Sequence, residues 1–297
     1  MGRSKWRKPD RERYRNQGSP SGDDLGNDVK LHSPERDSVS AENLTGLLCF
    51  YDDLILEDTP LFQVQESHMP NFPPILFLHG LATTSKRTWG DNGWFDLVRD
   101  AERELLPVDL PGHGNEYVPS SEFNGNLVDY VHDRIPFPIV DGIGFSLGAR
   151  VLLELALKKP GKFRKLVLAG VGDSLFESDQ IRGKKISDAI SGEGSLEDPE
   201  SRYFSQLSDY EDIDGKYIAK YLQTKNSSID PSVLSGLKTP VLIVLGENDF
   251  AGPATRLIDS LPNAKLVMLK GVDHFATPKD FSFLENALDF LDSAPNW

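Results

Sequence analysis

Six apolar runs recur along the chain with polar, periodic segments between them: PILFLHG (74–80), ELLPVDL (104–110), PIVDGIGFS (138–146), KLVLAG (165–170), PVLIVLG (240–246) and AKLVMLK (264–270). In several of them apolar residues fill consecutive positions, which is how a parallel strand covered on both faces reads, whereas a half-exposed strand would alternate. The intervening segments GWFDLVRDAERE, NLVDYVHDR, LGARVLLELALKK, ATRLIDSL and FSFLENALDFLDS read as helices, and Pro160 with Gly161 closes the third. Strand then helix, repeated, predicts an α/β domain with a doubly wound, mostly parallel sheet. Ahead of the first run, GLLCFYDDLILED and PLFQVQE are short segments broken by Asp and Pro, and they predict a pair of antiparallel strands.

The alternation lapses between residues 172 and 238. Polar segments there look helical, no strand appears, and Phe176, Tyr203, Phe204, Tyr210, Tyr217 and Tyr221 stand among many charges. A solvated connector has little reason to hold that many aromatics, so we read this stretch as a helical lid inserted in the domain. Phe176, Tyr203, Phe204 and Tyr217 are its candidate substrate-facing residues. The competing reading is a small accessory core, since aromatics at helical spacing are usually buried. Residues 1–40 are rich in Arg, Asp, Ser, Pro and Gly with isolated apolar residues only, a composition that cannot offset the ordering entropy of a fold. They are expected to form a disordered tail, with the folded domain spanning 41–297.

Composition narrows the classes of function. The net charge of −14 argues against a nucleic-acid binder, because phosphate affinity comes from clustered Lys and Arg. Residues 1–15 run the other way with seven basic and two acidic side chains, which read as a solvated arm. No apolar run approaches the roughly 20 residues needed to span a bilayer, and the first residues lack the apolar centre of a secretory signal. The single cysteine, Cys49, rules out an internal disulfide and fits a reducing cytoplasm, which is the expected location.

One turn carries chemistry. In IVDGIGFSLGARVLLELA, residues 139–156, Ser146 stands between Gly144 and Gly148 where an apolar strand passes into an amphipathic helix. A serine hydroxyl is a poor nucleophile unless a base takes its proton and its oxygen is exposed. A sharp strand-to-helix turn exposes it, and the residues two before and two after must be small for strand and helix to approach. The helix that follows aims its first N–H groups and positive dipole end at an oxyanion forming beside the serine.

With this turn in view the chain resembles the α/β-hydrolase family over residues of about 44 to 292. The likeness rests on HGL at 79–81, DLPGHG at 109–114, GFSLG at 144–148, GEND at 246–249 and GVDHF at 271–275, each following an apolar run. The family's chain order of nucleophile, acid and histidine implies Ser146, Asp249 and His274. The position of Asp249 after PVLIVLG and of His274 after AKLVMLK puts both at the carboxyl edge of the sheet, where α/β ligands bind. Asp173, in AGVGD after the preceding strand, is the alternative acid. Asp273 adjoins the histidine but should point elsewhere. The resemblance assigns His79 and His113 to loop shaping, and makes the oxyanion hole from the backbone N–H groups of Leu81 and Leu147. His32, His68 and His132 read as solvated histidines.

These assignments imply acyl transfer to water through an acyl-serine, with a small-molecule acyl substrate and neither metal nor other cofactor. Related dehalogenases and epoxide hydrolases use an aspartate nucleophile, and the serine argues against both. A carboxylic ester hydrolase is the expected enzyme; thioesters, lactones, activated amides and carbon–carbon bonds are further substrates for the same triad. A serine perhydrolase or cofactor-free haloperoxidase is a second reading, and a ligand receptor or non-catalytic protein on the same fold a third. Oligomeric state is left open.

Overall fold

A computed structural model describes residues 72–114, 126–224 and 228–294. The polar tail, the strand pair before residue 66, Cys49, His32 and His68 lie outside the described residues. Six strands form one sheet: β1 (Ile75–Leu78), β2 (Leu105–Val108), β3 (Val140–Phe145), β4 (Phe163–Ala169), β5 (Val241–Gly246) and β6 (Ala264–Leu269). Their spatial order is β2-β1-β3-β4-β5-β6 and every pairing is parallel. All six apolar runs are therefore strands, and the doubly wound sheet expected from their alternation is present.

Neighbouring residues in a strand point to opposite faces, and both faces are covered here. Leu76, Leu78, Leu166, Leu168, Ile243 and Leu245 belong to a core shared with α3 (Leu127–His132), α4 (Leu147–Lys158) and α9 (Thr255–Ser260). Their neighbours Ile75, Phe77, Val167, Ala169, Leu242 and Val244 pack with Trp94 and Val98 of α2 (Trp94–Asp100) and with Phe283, Ala287 and Leu288 of α10 (Phe281–Phe290). Period-2 geometry with two apolar sides is what erased alternation from the sequence. The outer strands differ. In β6, Leu266 and Met268 are exposed, so this strand is less covered than its apolar run predicts. In β2, Pro107 sits on the other outer strand among the described residues, where a missing N–H costs no ladder bond.

Four helices fill most of the stretch from 172 to 238: α5 (Gln180–Ser191), α6 (Pro199–Ser208), α7 (Gly215–Thr224) and α8 (Pro231–Leu234). Ile186, Ala189, Ile190, Phe204, Ile213 and Ile218 form an apolar cluster of their own, which Leu81 and Phe275 touch from the sheet-edge loops. The segment thus has an accessory core, and that core borders the carboxyl ends of the strands. Among the described residues no helix is long and apolar enough to cross a membrane.

Candidate active site

The chain steps outward from β1 to β2 and then returns to β3 on the other side of β1, so a crevice opens beyond the carboxyl ends of β1 and β3. Ser146 ends β3 in this crevice with φ 54° and ψ −113°, and Leu147 begins α4. A positive φ at a non-glycine residue stores about 1 to 3 kcal/mol of strain, which the packing around it must hold. The glycines on either side permit that packing. A Cβ on Gly144 would lie 2.7 Å from the amide nitrogen of Ala149, and one on Gly148 would lie 2.4 Å from the carbonyl oxygen of Leu78. Both contacts are with backbone, so neither position admits a side chain.

His274 lies beyond β6 and is 4% exposed. Its Nε2 is 3.0 Å from Ser146 Oγ, and its Nδ1 is 2.9 Å from each carboxylate oxygen of Asp249, which follows β5. A carboxylate only accepts, so Nδ1 carries the proton and Nε2 is left to accept from the serine hydroxyl. Two backbone bonds stitch the loops after β5 and β6 together, from Glu247 N to Leu269 O and from Asn248 N to Val272 O. Asp249 Oδ1 also accepts from Ala251 N at 2.8 Å, which fixes its side chain. The His274 ring is held between Phe145 and Phe250, with centroids at 4.9 and 4.1 Å.

Asp173 is placed differently from the alternative its sequence position suggested. Its carboxylate accepts from the N–H groups of Arg256 at 3.2 Å and Leu257 at 2.9 Å, at the start of α9. Those backbone donors occupy it, and the imidazole is bound by Asp249. Asp273 accepts from Ala276 N, turned away from the ring it adjoins.

The loop after β1 runs beside the serine: a Cβ on Gly80 would come within 3.6 Å of Ser146 Cβ. Leu81 follows and lines the same cavity. Leu147 is the first residue of α4, and the first N–H groups of a helix have no acceptor within it. His79 and His113 brace this region as buried acceptors. Nδ1 of His79 contacts Gly80 O while its Nε2 accepts from Leu110 N at 2.9 Å; Nε2 of His113 accepts from Ala82 N at 3.0 Å. Burial, chiefly, pushes His79 down to about 4 and His113 down to about 3.

These shifts carry a pH dependence. The unfolded imidazoles protonate near pH 6.5 and the folded ones only well below it, so acidification favours the unfolded chain. The stabilisation is complete above about pH 6.5 and is lost as pH falls toward 4 and then 3. Both displacements act in the same direction, so acidification across this window costs stability twice over. The melting temperature should therefore fall progressively from pH 6.5 to pH 4. A flat profile in thermal denaturation followed by circular dichroism would exclude the buried neutral pair.

A cavity of about 350 Å³ opens at Ser146 and His274. Of the four aromatics singled out in the sequence, Tyr203 and Phe204 line it. Phe176 and Tyr217 do not. Phe176 packs against the main core with the Arg256 guanidinium 5.0 Å from its ring centre, and Tyr217 joins the accessory core, where its ring would meet any side chain placed on Gly112. Sequence reasoning passed over Phe145, Phe275, Arg87 and Lys279, which also line the cavity. Phe145 and Phe275 adjoin Ser146 and His274, so motif adjacency could have found them. Nothing in the sequence pattern marks Arg87 or Lys279.

The profile described as the alpha/beta hydrolase family matches residues 75–290. The chain belongs to the alpha/beta hydrolase family. This alpha/beta hydrolase is 24% identical over 254 residues to a 2-hydroxy-6-oxononadienedioate/2-hydroxy-6-oxononatrienedioate hydrolase of Cupriavidus pinatubonensis, covering 73% of this chain and 86% of that protein. It is 27% identical over 235 residues to a pimeloyl-acyl-carrier-protein methyl ester esterase of Nitrosomonas europaea, covering 69% and 89%. The solved enol-lactonase of Burkholderia xenovorans LB400 shares the fold with a TM-score of 0.57 at 17% identity, over 75% of this chain and 92% of that one. Family membership makes the protein an enzyme of the α/β-hydrolase superfamily.

Proposed function

We propose that this enzyme hydrolyses carboxylic esters of small acyl compounds through an acyl-serine. The observation that carries the reading is the unbroken relay from Asp249 through His274 to Ser146, with the serine held at the strained strand-to-helix turn. In the reaction His274 Nε2 takes the hydroxyl proton as Oγ attacks the carbonyl, and returns it to the leaving alkoxide. Water then repeats the sequence on the acyl-serine and frees the acid. Asp249 holds the imidazole tautomer and balances its positive charge, while the N–H groups of Leu81 and Leu147 take the oxyanion. No step calls for a metal or an organic cofactor. The names of two similar proteins, a methyl ester esterase and an enol-lactonase, agree with cleavage of a carboxylic ester bond. The expectation of a cytoplasmic enzyme acting on a small molecule stands with this reading.

The test is a panel of p-nitrophenyl esters of increasing acyl length, run beside thioesters and lactones. Turnover should be greatest for esters of moderate acyl chains, and absence of turnover on the whole panel would leave a non-catalytic binding role in its place. The same panel tests the role of the helical segment. Tyr203→Ala should change the ratio of kcat/KM between short and long acyl chains by about tenfold, since one methylene in an apolar pocket is worth roughly 1 to 3 kcal/mol. Phe204→Ala should do the same with a loss of stability of about 3 to 5 kcal/mol, because Phe204 is also buried in the accessory core. Phe176→Ala and Tyr217→Ala should leave the chain-length profile alone. An unchanged profile in all four variants would assign acyl selection to the sheet-edge loops.

A further inference from the structure

The cavity at Ser146 has two kinds of wall. Leu81, Phe145, Phe204 and Phe275 are apolar, whereas α1 (Ser85–Thr88), the turn Gly90–Asn92 and the turn Thr277–Lys279 bring Arg87, Asp91, Asn92 and Lys279. Cations beside a reaction centre need a physical account in a chain whose net charge is −14. The nearby carboxylates do not provide it fully. Asp91 is held by Lys86 at 2.7 Å, and Lys279 is exposed with no ion pair among the described residues.

Arg87 is the more informative of the two. Its Nη1 donates to both oxygens of Asp212 at 2.9 Å, which ties α1 to the loop after α6. Its Nε and Nη2 are buried and have no acceptor among the described residues. These two nitrogens form the side of a guanidinium whose parallel N–H groups match the two oxygens of one carboxylate. A dry, unpaired charged donor is among the costliest features a fold can keep, and a ligand that supplies the acceptors relieves that cost. Tyr210 also lines the cavity, is half exposed, and lies over the guanidinium at 4.4 Å. A ligand reaches this buried edge only if the cavity wall moves, and half-exposed Tyr210 is the wall residue that covers the guanidinium.

We propose that the acyl group accepted by Ser146 ends in a carboxylate, which Arg87 binds through Nε and Nη2 while Lys279 adds positive charge at the cavity mouth. This inference rests on Ser146 being the nucleophile. It makes the substrate a monoester of a dicarboxylic acid, with the scissile carbonyl at the serine and the free acid on the α1 wall. Asp212 then has two functions, holding the guanidinium in place and leaving its other edge for the ligand.

The experiment compares kcat/KM of the full chain on mono-p-nitrophenyl adipate and suberate with the same esters capped as ω-carboxamides, which are neutral and nearly the same shape. The carboxylate form should be preferred at least about tenfold at low ionic strength, and the preference should shrink with added salt. Arg87→Gln should abolish the preference, and Lys279→Gln should reduce both it and its salt dependence. A ratio near or below one in the wild type overturns the proposal, as does a preference that survives Arg87→Gln in a protein with native circular dichroism. Should Arg87→Gln fail to fold, the wild-type ratio and the exposed Lys279→Gln variant still decide. A merely structural role for Arg87 would lower turnover of both esters equally. Turnover of the carboxamide ester without carboxylate preference rejects only this recognition, whereas no turnover of either ester and no fluorophosphonate labelling of Ser146 rejects the hydrolase reading itself.

Discussion

Ser146→Ala should lower ester turnover by at least about a thousandfold and leave the circular dichroism spectrum unchanged. Without the hydroxyl no acyl-enzyme forms, and only oxyanion stabilisation and substrate binding remain, which sustain a small residue of the rate. The fold should survive because the substitution removes one polar atom whose partner, His274 Nε2, lies at the edge of an open cavity. The bond from Ser146 N to Ala169 O that anchors the turn is untouched. A fluorophosphonate should label the wild type at Ser146 and leave the variant unlabelled. Activity retained in a natively folded variant, or labelling at another serine, would move the nucleophile and remove the ground for the proposed function.

The second large effect separates two aspartates. Asp249→Asn should reduce kcat by about 10³- to 10⁴-fold with little change in KM, because a carboxamide can donate to Nδ1 and so hold the imidazole in the tautomer that cannot accept the serine proton. Asp173→Asn should instead cost about 1 kcal/mol of stability, through weakened acceptance from the N–H groups of Arg256 and Leu257, while turnover stays within a few-fold. Chemical denaturation and steady-state kinetics on both variants test the pair of expectations. The reverse pattern would make Asp173 the acid that acts on His274.

Legibility differed along the chain for physical reasons. The strands could be read because a parallel sheet covered on both faces demands apolar side chains at consecutive positions, as in VLIVLG of β5. The limit of that rule shows at β6, whose run of apolar residues reads as doubly covered although Leu266 and Met268 face outward. An edge is a property of the assembled sheet, and no residue within the strand records it. GFSLG was legible for a steric reason: backbone approaches below 3 Å at Gly144 and Gly148 exclude every side chain, so the glycines had to appear in the sequence.

The sequence by itself determined the six strands, their alternation with helices, and the presence of a serine, an aspartate and a histidine each just beyond a strand end. Local backbone geometry and burial dictate those features, and they act over a few residues. Only the tertiary structure decided which aspartate meets the imidazole, since Asp249 and Asp173 both follow strands and differ in what the neighbouring chain offers: a ring nitrogen for one, two backbone N–H groups for the other. Likewise Tyr203 and Phe204 face the cavity while Phe176 and Tyr217 face cores, because orientation depends on how helices dock against the sheet edge. Arg87 lies 59 residues before Ser146 in the chain and 125 before Asp212, and its half-paired guanidinium beside the cavity exists only once those distant segments have been brought together.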